Sequence, residues 1–351
     1  MAYTTIDDPS AHFQTTLYSG TGSTASVTNG GNSDLQPDLV WIKCRNVVRD
    51  HRLLDSTRGV QKELVSNSAS AEYTESTGLT AFQSDGFQHG GANGYGASGE
   101  NYVSWQWKAN GGTRVTFSES GDNPAGGRQV NATAGFSLID YTGTGGAGTI
   151  AHGLGAVPHA IFCHDRGGNN HAVYNRGLAS DAETDYLRLD TTGASVDDSG
   201  RWNDTAPTST VFTLGSNNEV NGDDRTYVAW VFTSIQGYSR AGSYEGNGNA
   251  DGPSVFLGFR PAFLMIKGYA GTDDWIMLDH KRSGYNSENE HLDANNTSVE
   301  SDGSGNIDFL ANGFKIKSSF SSLNFHSGEY AYIAFAEFPF VSSKGVPCTA
   351  R

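Results

Sequence analysis

The sequence predicts an all-β fold, and three observations carry this prediction. Segments rich in β-branched and aromatic residues run for only four to six positions between turn residues, a length typical of strands rather than helices. Asp85-Gly86 and Asn312-Gly313 stand between hydrophobic flanks, and such pairs favour type I′ hairpin turns, which need positive φ at both central residues. Apolar repeats of 3.6 residues are almost lacking, and we expect only one or two helical turns, around residues 60–66.

The same pattern of landmarks occurs three times along the chain. Each third opens with a tyrosine and a Gly-rich turn, reaches a proline 17 to 19 residues later, and then enters a short apolar segment that ends on Lys or His. These landmarks are Tyr18, Pro37 and Lys43, then Tyr141, Pro158 and His164, then Tyr244, Pro261 and Lys267. Repetition at a fixed spacing indicates one structural unit used several times.

Each third also closes on a similar aromatic pair. The pairs are Tyr102 and Trp105, Tyr227 and Trp230, and Tyr332 and Phe335. We expect these side chains in the core, and we interpret the recurring Asp55/Arg58 type of pair as a corner ion pair. A unit of about 105 residues with seven or eight strands is the size of a β-sandwich or jelly roll.

The prediction is therefore three tandem β-sandwich (jelly-roll-like) repeats. Their expected bounds are residues 1–112, 133–236 and 237–340. Residues 113–132, rich in Gly, Asn and Ser, are interpreted as a linker, and residues 341–351 as a C-terminal tail.

The charge balance argues against two classes of partner. Asp and Glu number 38 and Lys and Arg 23, which gives a net charge of −15. That field repels phosphate backbones and anionic membranes, so we expect no nucleic-acid partner. No apolar run approaches a membrane span, and Asp7, Asp8 and Pro9 occupy the place of a signal-peptide core, so neither membrane insertion nor a cleaved leader is expected. The three cysteines, 44, 163 and 348, are interpreted as free thiols.

The usual patterns of catalytic residues do not stand out. There is no Gly-x-Ser-x-Gly nucleophile elbow. Gly143, Gly145 and Gly148 have the spacing of a dinucleotide fingerprint, but the residues that follow cannot open the required helix. We therefore expect a protein that is not an enzyme and needs no cofactor.

One loop has weak metal-ligand character. Asp302, Ser304, Asn306 and Asp308 place oxygen side chains at alternate positions, as calcium loops do. The later bidentate Glu of such loops is missing at the right distance, so a solvated loop without calcium is the alternative.

Ligand binding is expected on the loops where the three copies differ. Tyr95, Trp202 and Tyr285 are aromatic residues in these loops. They could stack on sugar rings or anchor a protein partner. The alternative is that they are partly buried supports of their own loops.

Several runs resemble a repeat module of uncharacterised function found in virion proteins of marine bacteriophages. The runs are AGFSLIDYTGTG (134–145), HGLGAVP (152–158), NDTAPTSTVF (203–212), GSYEGNGNADGP (242–253), GFRPAFLMIK (258–267) and AFAEFPF (334–340). Proteins with this module are usually described as tail fibre or structural proteins, and the module has no assigned catalytic residues. The resemblance implies a virion component that is assembled in the host cytoplasm.

Two functions follow as expectations. The first is a tail-associated fibre or receptor-binding protein, a homotrimer that contacts a host surface glycan or a neighbouring virion protein. The second is a capsid decoration or head-appendage protein, because nothing before the first repeat looks like a virion anchor. A polysaccharide-degrading tailspike is disfavoured, since the sequence lacks a parallel β-helix pattern.

Overall fold

A computed structural model describes residues 2–303 and 306–347. In this part of the chain strands dominate and the helical elements are single turns. The prediction of an all-β fold is confirmed. The helical turns expected around residues 60–66 are wrong, because residues 62–65 form a strand that pairs on both sides.

The strands are numbered in chain order. The first group is β1 (Phe13–Ser19), β2 (Ala25–Val27), β3 (Leu39–Cys44), β4 (Arg52–Asp55), β5 (Lys62–Val65), β6 (Tyr73–Thr74), β7 (Leu79–Phe82), β8 (Phe87–His89) and β9 (Asn101–Trp107). The second group is β10 (Val115–Phe117), β11 (Ala125–Asn131), β12 (Phe136–Thr142), β13 (Gly148–Ala151), β14 (Ala160–Asp165), β15 (Ala172–Asn175), β16 (Asp185–Arg188), β17 (Val196–Asp197), β18 (Val211–Leu214) and β19 (Thr226–Phe232). The third group is β20 (Ser239–Glu245), β21 (Ser254–Phe256), β22 (Phe259–Gly268), β23 (Trp275–Asp279), β24 (Leu292–Asp293), β25 (Ile307–Leu310), β26 (Gly313–Ile316) and β27 (Glu329–Pro339). The helical elements are a 3-10 turn at Pro9–Ala11, α1 (Ser199–Trp202) and α2 (Ser321–Asn324).

These strands form three large and three small antiparallel sheets. Sheet A has the order β1-β9-β3-β4-β5-β6, sheet B the order β10-β11-β12-β19-β14-β15-β16-β17, and sheet C the order β20-β27-β22-β23-β24. The small sheets are β2-β8-β7, β13-β18 and β21-β26-β25. In every large sheet the opening strand pairs with the closing strand, and the closing strand pairs with the strand after the proline. Three related units would produce this common order, and it supports the repeat interpretation.

The registers agree as well as the strand order. Phe13, Phe136 and Ser239 begin the opening strands and oppose Trp107, Phe232 and Phe335 of the closing strands. Five residues later a tyrosine stacks on the tyrosine opposite it, with ring centroids 5.0 Å apart in all three sheets. Positions in the three sheets can therefore be matched residue by residue.

The central strands of the large sheets are buried on both faces. In β3, Val40 and Ile42 face the small sheet β2-β8-β7 and share a core with Phe87. Leu39 and Trp41 point to the opposite face, because successive side chains alternate across a strand. This double burial explains why the segment after each proline is continuously apolar.

The second faces of the three large sheets pack against one another. Trp41 of sheet A lies 6.2 Å from Trp230 of sheet B, between ring centroids, and Phe13 of sheet A lies 5.3 Å from Phe335 of sheet C. A void of about 20 Å³ at the centre is lined by side chains from all three sheets. The expected sandwiches thus share one aromatic core instead of standing apart, since none of these faces could be left to water.

The expected linker at 113–132 is wrong, because it contains two strands of sheet B. β11 pairs along its whole length with β12, and β10 pairs with β11. A Cβ at Gly126 would lie 2.1 Å from the carbonyl oxygen of Asp140, so glycine is needed here for close approach rather than for flexibility. The Arg114–Asp140 ion pair, 2.5 Å, fixes the outer strand.

A buried polar side chain connects each large sheet to the next. Lys43 Nζ of sheet A donates to the carbonyl of Thr297, 3.1 Å away, just beyond β24 of sheet C. Lys267 Nζ of sheet C donates to the carbonyl of Thr192, 3.0 Å away, beyond β16 of sheet B. His171 of sheet B lies 2.9 Å from the carbonyl of Val65 in sheet A. The contacts run from A to C, from C to B and from B to A, so the arrangement closes on itself.

Ion pairs reinforce two of these junctions. Glu72 bridges Arg58 and Arg166, at 3.1 and 2.8 Å, and Glu300 bridges Arg282 and Arg45, at 3.4 and 2.7 Å. Arg58 and Arg282 each also bind the aspartate three residues earlier in the chain. The distance between Asp55 and Arg58 is 2.5 Å. The expected corner ion pair therefore exists, and it extends across the boundary between sheets.

The structure also bears on the cysteines and on helices. Cys44 and Cys163 are free and buried, whereas Cys348 lies outside the described residues. Within the described ranges, no helix has the length and apolarity that a membrane crossing requires.

Glu72→Gln should destabilise the protein by about 2 kcal/mol, because it leaves Arg166 without its carboxylate and weakens the hold on Arg58 in a buried setting. Chemical denaturation would measure the change. Asp251→Asn is the control: Asp251 pairs with Lys315 but is 84% exposed, so its loss should leave the stability almost unchanged. Equal effects of the two substitutions would contradict the role of the junction.

Acidification should lower the melting temperature between pH 6.5 and 5. Burial holds the pKa of His51 and of His164 well below the usual value of 6.5. Below about pH 6.5 the unfolded chain therefore takes up protons that the folded chain does not. As a result, the free energy of unfolding decreases as the pH is lowered. We expect a drop of about 5 °C or more by calorimetry. His164→Gln should reduce the drop, and His326→Gln, at an exposed position, should leave it unchanged.

Candidate functional site

A groove of about 650 Å³ runs between sheets B and C. Its floor is β20, the edge strand of sheet C, along residues 240–243. One wall comes from sheet B, with His159, Arg176 and Gly177, and the other from the segment Phe256–Gly258, which begins at the last residue of β21. We call this the β20 groove. Its volume lies in the range typical of ligand sites.

Two arginines give this groove a positive character in a strongly acidic protein. Arg176 and Arg240 are both exposed and both line the groove. Among the residues that the structure describes, neither has a carboxylate within ion-pair distance. With a net charge of −15 on the whole chain, two uncompensated guanidinium groups in one groove select for an anionic partner.

His159 connects the two arginines electrostatically. Burial, then the charge of Arg176 and then that of Arg240, lower the pKa of His159 to about 4. The ring is therefore neutral at physiological pH, and its Nε2 lies 2.8 Å from Arg176 Nη1. The backbone amide of Ser234 donates to Nδ1 at 3.0 Å, and the Thr233 hydroxyl lies 3.2 Å from the same nitrogen. His159 is thus fixed beside Arg176 and, being neutral, does not compete with it for an anion.

The opposite wall is apolar and exposed. The side chain of Phe256 is 56% exposed, although it lies in a groove. Tyr3 closes one end, where its hydroxyl donates to the carbonyl of Gly258 at 3.0 Å. The groove can therefore bind a partner that presents an anionic group on one side and an apolar surface on the other.

The side chains that line the β20 groove are suited to holding an anionic group. The guanidinium groups supply planar, permanently charged donors, and the neutral His159 lies 2.8 Å from that of Arg176. In the described part of the chain, no group of three or more His, Cys, Asp or Glu is placed to hold a metal ion. The groove residues contain no nucleophile hydrogen-bonded to a free base.

Two of the three aromatic residues predicted from the loops are buried, which corrects their role as ligand contacts. Tyr95 has no exposed surface, and its hydroxyl donates to the buried carboxylate of Glu63. Trp202 is 2% exposed and packs edge-on against Tyr174, with ring centroids 6.0 Å apart. Both are supports of their own loops, which was the alternative interpretation.

Local hydrogen bonds explain why these loops turn inward. The Tyr18 hydroxyl donates to the backbone carbonyl of Tyr95 at 2.8 Å, which holds the loop against sheet A. Asp198 caps α1 by accepting from the amide of Gly200 at 2.8 Å, and the resulting turn directs Trp202 into the core. Tyr285, in contrast, is 77% exposed and is the one of the three predicted aromatic residues that is accessible.

The predicted calcium loop is only partly described. Ser304 lies outside the described residues. Asp302 is exposed, while the carboxylate of Asp308 accepts from the hydroxyl of Ser287 at 2.7 Å. The backbone carbonyl of Asn306 accepts from the amide of Lys317 at 2.8 Å. The protein itself therefore already uses Asp308, and calcium binding here stays a prediction.

Sequence reasoning missed the arginines of the β20 groove, although one signal was available. Asp55 and Asp279 hold matching places in sheets A and C, and each binds the arginine three residues later. The matching residue of sheet B is Asn175, so Arg176 beside it has no local carboxylate. An arginine next to a place that has lost its carboxylate is a candidate binding residue. Arg240 and Phe256 carry no such signal.

Fold and site together define an all-β protein of three large antiparallel sheets with a basic groove at one junction. More narrowly, residues 8–339 match the family of a domain of unknown function, DUF7483, and the chain belongs to this family. No curated protein and no solved structure matches it.

Arg176→Gln should raise the pKa of His159 above its value of about 4, because the substitution removes the nearest positive charge. The pKa should still stay below 6.5, since burial is the larger cause and remains. Titration of histidine ring signals by NMR would measure it. Arg188→Gln, which removes a partner of Glu219 elsewhere in sheet B, is the control and should leave His159 unchanged. An unchanged His159 in the Arg176 variant would contradict the geometry.

Proposed function

We propose that this chain is a structural protein of a bacteriophage particle, most directly a tail-associated fibre or receptor-binding protein. Its task is to contact a host surface glycan or a neighbouring virion protein. The observation that carries the proposal is the β20 groove, a surface with two exposed arginines on an acidic protein. The resemblance of six sequence runs to a virion repeat module supports the placement on a particle.

The remaining parts of the proposal concern assembly and partners. The protein is assembled in the host cytoplasm and then belongs to the virion, where its partners are other virion proteins and copies of itself in a homotrimer. Its net charge of −15 disfavours nucleic acid as a partner. No enzymatic step is part of the proposed role.

A second candidate, a capsid decoration or head-appendage protein, is favoured by the arrangement of the sheets. Sheets A, B and C surround one core and share the order of their central strands. A body built from three such sheets fits a threefold position on a protein shell, because matched positions can then be engaged together.

Gold labelling of intact particles with an antibody to this chain, viewed by electron microscopy, tests the proposal. Label at the tail supports the fibre or receptor-binding function, and label over the head supports decoration. Particles without label, from a lysate in which the chain is expressed, would refute a virion role.

Tyr285→Ala should weaken binding of the purified protein to host cells by about tenfold, if the exposed loop aromatic contacts the host surface. Phe325→Ala is a matched control, because Phe325 is also strongly exposed, at 64%, but lies after α2. A cell-binding assay by flow cytometry measures both. Equal binding by the two variants would remove the Tyr285 loop from the proposal.

A further inference from the structure

The three opening strands differ in what covers their free edges. In sheet B, the edge of β12 is covered by the chain itself, because β11 adds to it as an antiparallel strand. In sheets A and C, β1 and β20 are edge strands in the described part of the chain. The structure therefore contains one occupied edge that can be compared with two others.

The covering strand lies between two walls. On one side, Gln129 of β11 donates through Nε2 to the hydroxyls of Ser56 and Thr57, at 2.9 and 2.7 Å. On the other side, Arg128 donates through Nη1 to the carbonyl of Ala151 at 2.7 Å. β11 is thus held by a corner of sheet A and by the end of β13.

The β20 groove has the same two walls. Asp55 opposes Leu39 in sheet A, and Asn175 opposes Ala160 in sheet B, so the next residues, Ser56 and Arg176, occupy matching positions. The second wall can be matched in the same way. A Cβ added at Gly153 would lie 3.0 Å from Val130, so Gly153 borders β11. Gly153 stands five residues before Pro158.

Phe256 stands five residues before Pro261 and matches Gly153. Arg176 and Phe256 are the walls of the β20 groove. The groove is consequently the counterpart of the place that β11 fills beside β12, and no strand of the described residues occupies it.

The third edge is largely closed. Gln14 of β1 donates through Nε2 to the carbonyls of Ser10 and Ser33, at 2.9 and 2.8 Å, so nearby loops lie over this edge. The cavity left there is only about 190 Å³, and its lining includes Asp8 and Glu337. Of the two edges, that of β20 is the open and positively charged one.

We propose that the β20 groove binds an extended acidic segment of another polypeptide, which adds to sheet C as an antiparallel strand beside β20. This inference rests on the proposed function, since it names the partner as a neighbouring protein of the particle. Strand addition at a free edge is a general mode of peptide recognition, in which the main chain supplies affinity and flanking pockets supply specificity.

The edge of β20 is suited to this addition. The amide of Ala241 donates to Ser234 Oγ at 3.1 Å, a side-chain contact that an incoming carbonyl can replace. Gly177 packs directly on the backbone of Gly242 and forms the inner wall without a side chain in the way. An open edge of this kind is otherwise a risk of unwanted pairing, which proteins usually avoid by covering it.

The register of β11 indicates where the acidic residues of the partner should lie. Gln129 reaches Ser56, so the residue at its position in the β20 groove would face Arg176. Val130 opposes Ser137, which matches Arg240 because each follows the first residue of its strand. Carboxylates at these two positions would meet the guanidinium groups of Arg176 and Arg240, which have no carboxylate partner among the described residues.

A peptide copying residues 125–131 with Gln129→Glu and Val130→Glu tests the inference on the full chain. Fluorescence anisotropy should show binding about tenfold tighter than for the unaltered peptide, since two charge-assisted hydrogen bonds are gained. Hydrogen exchange should slow at amides of residues 239–245. Arg176→Gln combined with Arg240→Gln should abolish the preference, and Lys281→Gln, which changes a cation at the β1 edge, should not.

Two results would overturn the inference. One is equal binding of the acidic and unaltered peptides. The other is arginine-dependent binding of trigalacturonate, an acidic saccharide, while the acidic peptide leaves exchange in β20 unchanged. Melting temperatures of the variants verify folding, which these exposed positions should not impair. Gold labelling is independent of this outcome. If particles carry label but the acidic peptide does not bind, the added strand is refuted and the virion proposal stands. If the peptide binds but particles carry no label, only the virion role is refuted.

Discussion

The common aromatic core is the constraint on which the rest of the structure depends. Each large sheet has one face covered by a small sheet, and its other face can be buried only against the two remaining large sheets. Trp41, Trp230 and Phe335 supply large apolar surfaces at this meeting point, and surfaces of that size dominate the energetics of burial. The contacts at the junctions, such as Lys43 to Thr297, then fix how the sheets are rotated around the core.

Much of the fold could be predicted from local patterns, because local patterns decide whether a segment is a strand. The apolar segments after Pro37, Pro158 and Pro261 are strands, and the closing aromatic residues Tyr102 and Tyr227 are buried. Closure around one core could not be predicted. A strand that is buried on both faces has the same apolar sequence whether its second face packs on a small sheet or on another large sheet. For the same reason Gly-rich residues 113–132 resembled a linker: a glycine that permits close packing and one that permits flexibility are identical in sequence.

The candidate site was harder to predict because its residues come together only through the closure of the sheets. Arg176 and Arg240 are 64 residues apart, and Phe256 belongs to a small sheet. Loop aromatic residues were a reasonable first choice, yet Tyr95 and Trp202 serve the stability of their loops. What the sequence does carry is the contrast between matched positions. Asn175 stands in the place of an aspartate, so the arginine beside it has no local carboxylate. In a chain with repeated landmarks, such departures are more informative than the landmarks themselves.

The closed arrangement also affects how the protein is made. Lys43 and Arg45 of sheet A meet Thr297 and Glu300, which are 254 and 255 residues further along the chain. During synthesis the tryptophan-rich face of sheet A is therefore complete long before its covering from sheet C leaves the ribosome. Partners so distant in sequence make folding slow and leave apolar surface open to aggregation in the meantime. The nascent chain thus cannot complete the burial of its first sheet until its last one has been translated.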